Sequence, residues 1–199
     1  MAKGTKERIL AAALVMFSEN GYTGTNIREL TSSLGLVKSS MYKHFRSKEE
    51  IWNTLFDELV VYYDEHFGSP EHLPPIPESG EELVALTRKM VEFTVTDEKI
   101  IRARKLITIE QFRDERMREF ASKYFLSGPA DIFTHIFAGM MEKGVIRKED
   151  PAMLAFAYTA PISSLIHQCD RTPQEKEELL AKAEAFSRHF IKNYETKQK

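Results

Sequence analysis

The sequence predicts an all-α protein: a three-helix N-terminal head, residues 1–48, followed by a larger helical body, residues 49–199, with about nine helices in all. Three observations lead there. Apolar residues recur at helical spacing along most of the chain, Ser, Thr and Asp stand where helices would start, and no stretch shows the alternation of a half-buried strand. With 42 % hydrophobic residues the chain can bury a real core.

Thr5 reads as the N-cap of a first helix through Ile9, Leu10, Ala13, Leu14 and Phe17, which Gly21 stops. Residues 25–34 form a second helix, Gly35 a turn, and residues 38–45 a short third helix. Ser47 and Glu50 make a capping box, each able to satisfy a free N–H of the helix start. It opens a long helix over residues 48–67 through Trp52, Leu55, Phe56, Leu59, Tyr62 and Tyr63. That helix fails near Gly68, and Pro70, Pro74, Pro75 and Pro77 make an irregular connector. Ser79 and Glu82 form a second capping box before Leu83, Leu86, Met90 and Phe93. Helices over about 97–112 and about 114–143 follow, the latter kinked or split at Gly128-Pro129. Asp150-Pro151 and Thr172-Pro173 each place a cap before a proline at the first helical position, opening the last two helices.

The net charge of −2 hides an asymmetry. Residues 1–48 carry eight Lys/Arg against three Glu, or +5, whereas residues 49–199 carry twenty against twenty-seven, or −7. A basic head on an acidic body is the footprint of a protein that meets phosphate with one part only. Residues 151–169 carry no Asp, Glu, Lys or Arg, yet Tyr158, Thr159, Pro161, Ser163, Ser164, His167 and Gln168 make a membrane span a poor reading. A helix buried in protein is expected instead. One cysteine, Cys169, cannot close an internal disulfide and fits a reducing cytoplasm, and no export signal is apparent, so a cytoplasmic location is expected.

Enzymatic chemistry finds little support. His167 and Cys169 are two residues apart and point to different sides of one helix, a poor nucleophile–base pair. The six His fall in no zinc-binding spacing, and no phosphate-loop or dinucleotide glycine pattern occurs, so neither a metal nor a cofactor is expected.

Five landmarks lie in register between Gly21 and Glu50: Gly21-Tyr22, Thr25-Asn26-Ile27-Arg28, Leu34-Gly35-Leu36, Met41-Tyr42-Lys43-His44-Phe45 and Ser47-Lys48-Glu49-Glu50. Together they resemble the DNA-binding segment of the TetR family of bacterial transcriptional regulators. The resemblance implies a helix-turn-helix, with residues 25–34 as the supporting helix and residues 38–45 as the recognition helix in the major groove. Thr25 and Asn26, at one helix start, and Lys48, at the next, are placed to meet phosphates. Tyr42 and His44 match positions that clamp the DNA backbone in the family. Lys38, Ser39, Ser40 and Lys43 are placed to reach base edges, with Arg28 as a further candidate. Met41 and Phe45 should turn inward toward Phe17 and Leu30. The chain departs from the family's usual small residues at Thr31 and Leu34, and from its capping Ser or Thr at Val37; the last weakens the recognition-helix cap by about 1 kcal/mol.

For the body, the resemblance implies a ligand-binding and dimerisation domain whose last two helices pair with those of a second copy. Leu179, Ala183, Phe186, Phe190 and Tyr194 form one apolar stripe on the final helix and are the expected dimer interface. The expected ligand-facing residues are Tyr63, Met90, Phe93, Glu110, Gln111, Tyr124, Phe156, Ser163 and His167, a mainly apolar set with a few polar anchors. Arg113, three residues on, offers Glu110 a competing ion-pair role. The implied function is a homodimeric repressor released from a palindromic operator by a small, largely apolar ligand. Its recognition helices would sit about one DNA turn apart, roughly 34–36 Å, or a multiple of it, and the helix over residues 48–67 would transmit the ligand signal. A DNA-bound adaptor regulated by a protein partner is the alternative, and a helical enzyme with a cryptic site a remote one.

Overall fold

The computed structural model describes residues 4–67 and 73–196, so the expected helix end near Gly68 and the connector's Pro70 lie outside the described residues. Within them the chain is helical, with no strand and one isolated antiparallel bridge between Ile146 and Glu195. In order come α1 (Thr5–Gly24), α2 (Ile27–Ser33), α3 (Lys38–Tyr42), α4 (Lys48–Phe67), α5 (Gly80–Thr96) and α6 (Glu98–Glu110). Then follow α7 (Glu115–Ala121), a π-helical turn (Ser122–Ser127), α8 (Gly128–Glu142), α9 (Pro151–Arg171), a 3-10 turn (Pro173–Glu175) and α10 (Lys176–Lys192). Because α7, the π turn and α8 run on without a break, the described residues form nine helical rods.

Most starts follow the local chemistry. Ser47 Oγ accepts the Glu50 N–H at 3.0 Å, and Ser79 Oγ accepts the Glu82 N–H at 3.1 Å. Asp150 accepts from Ala152 and Met153 N–H at 2.9 and 3.2 Å, with Pro151 following it into α9. Other boundaries differ from expectation: Thr172 caps no helix start, its hydroxyl donating to the Gln168 carbonyl at 3.1 Å, and α10 opens at Lys176 after the 3-10 turn. Gly4, not Thr5, caps α1, its N–H held by the Glu7 carboxylate at 3.1 Å. At the other end α1 breaks at Gly21, whose φ of 69° suits glycine, and then makes one further turn to Gly24.

The expected kink at Gly128-Pro129 takes the form of the π turn. A Cβ on Gly128 would come 2.6 Å from the Lys123 carbonyl oxygen, so the missing side chain lets the backbone take the wider loop. Pro129, lacking an N–H, gives up one ladder bond at the same place.

The chain divides into two compact units. The first takes residues up to 66 together with 99–121; the second takes 67–98 and 122–199. In the first, Phe17, Leu30, Met41 and Phe45 are fully buried, as expected for the inner face of the head. Phe17 meets Trp52 edge-on at 5.2 Å, and Phe56 and Tyr63 of α4 both pack on Phe120 of α7.

In the second unit α5, α8, α9 and α10 surround Tyr158, which is completely buried. Its ring touches those of Phe133, Phe137, Phe186 and Phe190, and its hydroxyl bonds Thr87 Oγ1 at 2.7 Å and Ser187 Oγ. The apolar stripe of α10 therefore serves this core. Leu179 and Ala183 are buried, while Phe186, Phe190 and Tyr194 are half-buried against it. The charge-free start of α9 is buried on one side only: Leu154, Ala155, Tyr158 and Ile162 face inward, and Met153, Phe156, Ala157, Ala160, Pro161 and Ser164 face out. Among the described residues no helix is long and apolar enough to cross a membrane.

Candidate nucleic-acid interface

Two short helices present the site. Asn26 caps α2 by accepting the Arg28 N–H at 2.8 Å, which leaves Arg28 pointing from the first turn into solvent. The turn between α2 and α3 depends on Gly35 at φ 66°, closed by Gly35 N–H to Ser32 O at 3.0 Å and Leu36 N–H to Thr31 O at 2.9 Å. Val37 then precedes α3 without any side-chain cap and is itself exposed. Helix α3 ends at Tyr42, shorter than the expected 38–45. Residues 43–45 nevertheless close on Met41, whose carbonyl accepts from His44 N–H at 2.8 Å and Phe45 N–H at 3.0 Å.

With Met41 and Phe45 fixed inward, the opposite face of α3 is available. Lys38, Ser39, Tyr42, Lys43 and His44 are exposed and Ser40 is half-exposed, beside the exposed Asn26 and Arg28. Lys38 lies 5.6 Å from the Tyr42 ring centre, so a cation and a hydroxyl-bearing ring share one surface. Among the described residues neither Arg28, Lys38 nor Lys43 is in an ion pair, whereas Arg88 and Arg188 of the second unit are tied to Glu184. These three cations thus retain their donors for an anion. Sequence reasoning passed over two more. Arg46 is exposed directly after Phe45, and the Lys6 ammonium lies 5.6 Å from the Phe45 ring centre. The signal for Arg46 was its place between His44 and Lys48; for Lys6 only the packing of α1 shows it.

Two expected phosphate contacts are differently engaged. Thr25 is buried, and its hydroxyl donates to the Gly21 carbonyl at 2.8 Å. Lys48 donates from Nζ to the Thr25 carbonyl at 2.7 Å and lies 4.4 Å from the Tyr22 ring centre. Burial lowers the Lys48 pKa from its ordinary 10.5, against the opposing charge of Glu110.

The expected ligand-facing residues fall in both units. In the first, Tyr63 is buried with its ring 4.9 Å from that of Phe120. Glu110 is buried and accepts the Tyr22 N–H at 2.8 Å, a different tie from the one considered with Arg113. Gln111 is half-buried, donating to the Thr108 carbonyl at 3.2 Å. In the second, Met90, Phe93, Tyr124, Ser163 and His167 are half-buried, and His167 meets the Phe125 ring edge-on at 6.2 Å. Phe156 is 65 % exposed on α9, which takes it off the interior of its unit.

An exposed, cation-bearing short helix after a glycine turn is the geometry of a helix-turn-helix. The sequence model of the bacterial regulatory proteins of the tetR family matches residues 9–55, the span from α1 into α4 that builds this surface. These residues carry the DNA-binding head of the tetR family. It is 28 % identical over 162 residues to the transcriptional repressor KstR2 of Rhodococcus jostii, covering 78 % of this chain and 74 % of that one. It is 34 % identical over 58 residues to IcaR of Staphylococcus epidermidis, a negative regulator of the biofilm operon icaADBC, but that match covers 29 % of this chain and 31 % of IcaR. Among solved structures, a transcriptional regulator from Saccharomonospora viridis in complex with choline shares the fold at a TM-score of 0.70 and 17 % identity, over 96 % of this chain and 98 % of that one. SmeT, the repressor of the Stenotrophomonas maltophilia multidrug efflux pump SmeDEF, does so at 0.66 and 18 %, over 98 % and 92 %.

Proposed function

We propose that this protein is a homodimeric transcriptional repressor of the TetR family, acting in the cytoplasm, that leaves a palindromic operator when a small, largely apolar ligand binds. The carrying observation is the α3 surface, where Lys38, Ser39, Ser40 and Lys43 stand beside Tyr42, His44, Asn26 and Arg28 over a buried Met41 and Phe45. In this division of labour residues 1–48 read DNA and residues 49–199 sense the ligand and dimerise. Lys38, Ser39, Ser40 and Lys43 reach base edges, with Arg28 as a further candidate; Tyr42, His44 and Asn26 hold the DNA backbone. Thr25 serves from inside the fold, and Lys48 divides its three donors between Thr25 and the phosphate side.

Repression is supported by KstR2, IcaR and SmeT being repressors or negative regulators by name, and a small-molecule effector by the choline complex of the fold relative. Met90, Phe93, Tyr124, Ser163 and His167 form the effector-facing set in the second unit. For the dimer we place the partner on the outward face of α9, because Leu179 and Ala183 of α10 are closed off inside this chain. An effector releases DNA only if it binds the released state better than the DNA-bound one.

The test is selection of retained duplexes from a random pool at two salt concentrations. A palindromic motif is expected, with affinity falling steeply as salt rises. Salt-dependent retention without a motif would reject the operator reading, and no retention at all would reject DNA binding.

A further inference from the structure

Residues 22–25 link the broken end of α1 to the start of α2, and they are held from outside by two charged side chains. At Gly21 the backbone leaves the helix at φ 69°, and the Tyr22 N–H is turned onto Glu110 Oε1 at 2.8 Å. Glu110 sits at the last position of α6, 88 residues away, and is only 4 % exposed. The fit is close: a Cβ at Gly21 would come 2.7 Å from that same oxygen. At the other end of the link, Lys48 donates to the Thr25 carbonyl at 2.7 Å and covers the Tyr22 ring. The next residue, Asn26, is the α2 cap.

We propose that Glu110 is a positioning residue for the helix-turn-helix, its carboxylate fixing the link that decides where α2 begins. The inference rests on the DNA-binding reading above. Helices α2 and α3 are seven and five residues long, too short to hold their own orientation without outside support. A side-chain oxygen of the right reach on the first N–H of the link and an ammonium on its last carbonyl supply that support as direct hydrogen bonds. The negative charge of Glu110 also favours the charged form of Lys48 against the cost of its burial.

Two variants separate reach from charge. Glu110→Gln keeps an oxygen at the same distance and loses the charge; Glu110→Asp keeps the charge and falls one methylene short. The probe is the duplex that wild type selects from the random pool, titrated where circular dichroism shows each variant fully folded. Expected is binding within about threefold of wild type for Glu110→Gln and about tenfold weaker for Glu110→Asp. The salt slope should stay at the wild-type value in both, because no phosphate contact is lost. A role confined to stability would lower the melting temperature and leave the affinity of the folded protein unchanged. Wild-type affinity in folded Glu110→Asp, equal weakening by both variants, or a salt slope reduced by about one would each overturn the assignment. Should Glu110→Asp not fold, exchange of the Tyr22 amide decides in the other two: protection equal in wild type and Glu110→Gln supports the bond, and rapid exchange in wild type refutes it. Failure of wild type to retain any duplex is a separate result, against the DNA-binding reading itself.

Discussion

Asp114 collects hydrogen bonds from the Trp52 indole at 3.3 Å, the Arg116 backbone at 2.9 Å and the Met117 backbone at 3.4 Å, with the Arg116 guanidinium alongside. Burial alone would raise its pKa, but the bonds from Arg116, Met117 and Trp52 outweigh it and hold the carboxyl below its ordinary 3.8. The ionised form therefore stabilises the fold fully above that ordinary value, and the contribution is lost as pH falls through the depressed one. Asp114→Asn should be less stable than wild type by about 1 kcal/mol at neutral pH, with the gap closing in strong acid. Thermal melts across that range check it; a gap constant with pH would show that the charge plays no part. Tyr158 makes a different kind of contribution, since its buried hydroxyl joins α9 to Thr87 of α5 and Ser187 of α10. Tyr158→Phe keeps the ring packing and leaves both partners short of a bond, at an expected cost of about 1–2 kcal/mol in denaturant unfolding. An unchanged midpoint would mean that Thr87 and Ser187 satisfy each other or the backbone.

Among the helices, α3 is the least supported by its own sequence. Val37 offers no side-chain oxygen to its free N–H groups, and five residues make barely more than one turn. Val37→Thr should supply the missing cap, add about 1 kcal/mol and raise the melting temperature by about 2–4 °C. A melt identical to wild type would show that Met41 and Phe45 already fix α3 completely. The same contrast explains what the sequence discloses. Starts at Ser47, Ser79 and Asp150 are legible because the capping bonds join neighbours. The face of α3 that meets solvent is legible too, since Met41 and Phe45 lie one turn apart among polar residues. Glu110 is not, because its partner is 88 residues away and no local pattern marks it. Nor is the cover of the α10 stripe, because periodicity reveals an apolar face without saying which apolar surface closes over it. The π turn falls between: Gly128-Pro129 announces a disturbance, but its form depends on the approach of the Lys123 carbonyl.

At the scale of the whole molecule, charge and the proposed dimer bear on the function. The +5 of residues 1–48 includes Arg28, Lys38 and Lys43, which make no ion pair among the described residues, while the −7 remainder holds Arg88 and Arg188 against Glu184 and Glu81. Phosphate is thus attracted to the DNA-reading segment and repelled elsewhere. In the proposed dimer each such segment reads one half-site, and the exposed, charge-free stripe over about three turns of α9 is hard to explain in a monomer. Met153, Phe156, Ala157, Ala160, Pro161 and Ser164 recur at steps of three and one along α9, the spacing of a helical stripe, and Met153 and Phe156 are 62 % and 65 % exposed. Phe156→Asp should therefore give a folded monomer, with a melt close to wild type at concentrations where wild type is also monomeric. Its affinity for the full palindrome should fall by about a hundredfold or more, as the second half-site is no longer engaged within one complex, while binding to a single half-site stays the same. Phe186→Asp is the control, because its ring lies on Tyr158 and a charge there should loosen the chain's own core. Sedimentation of the two variants decides between the faces: a Phe156→Asp dimer of wild-type strength would remove α9 as the interface, whatever Phe186→Asp does to the fold.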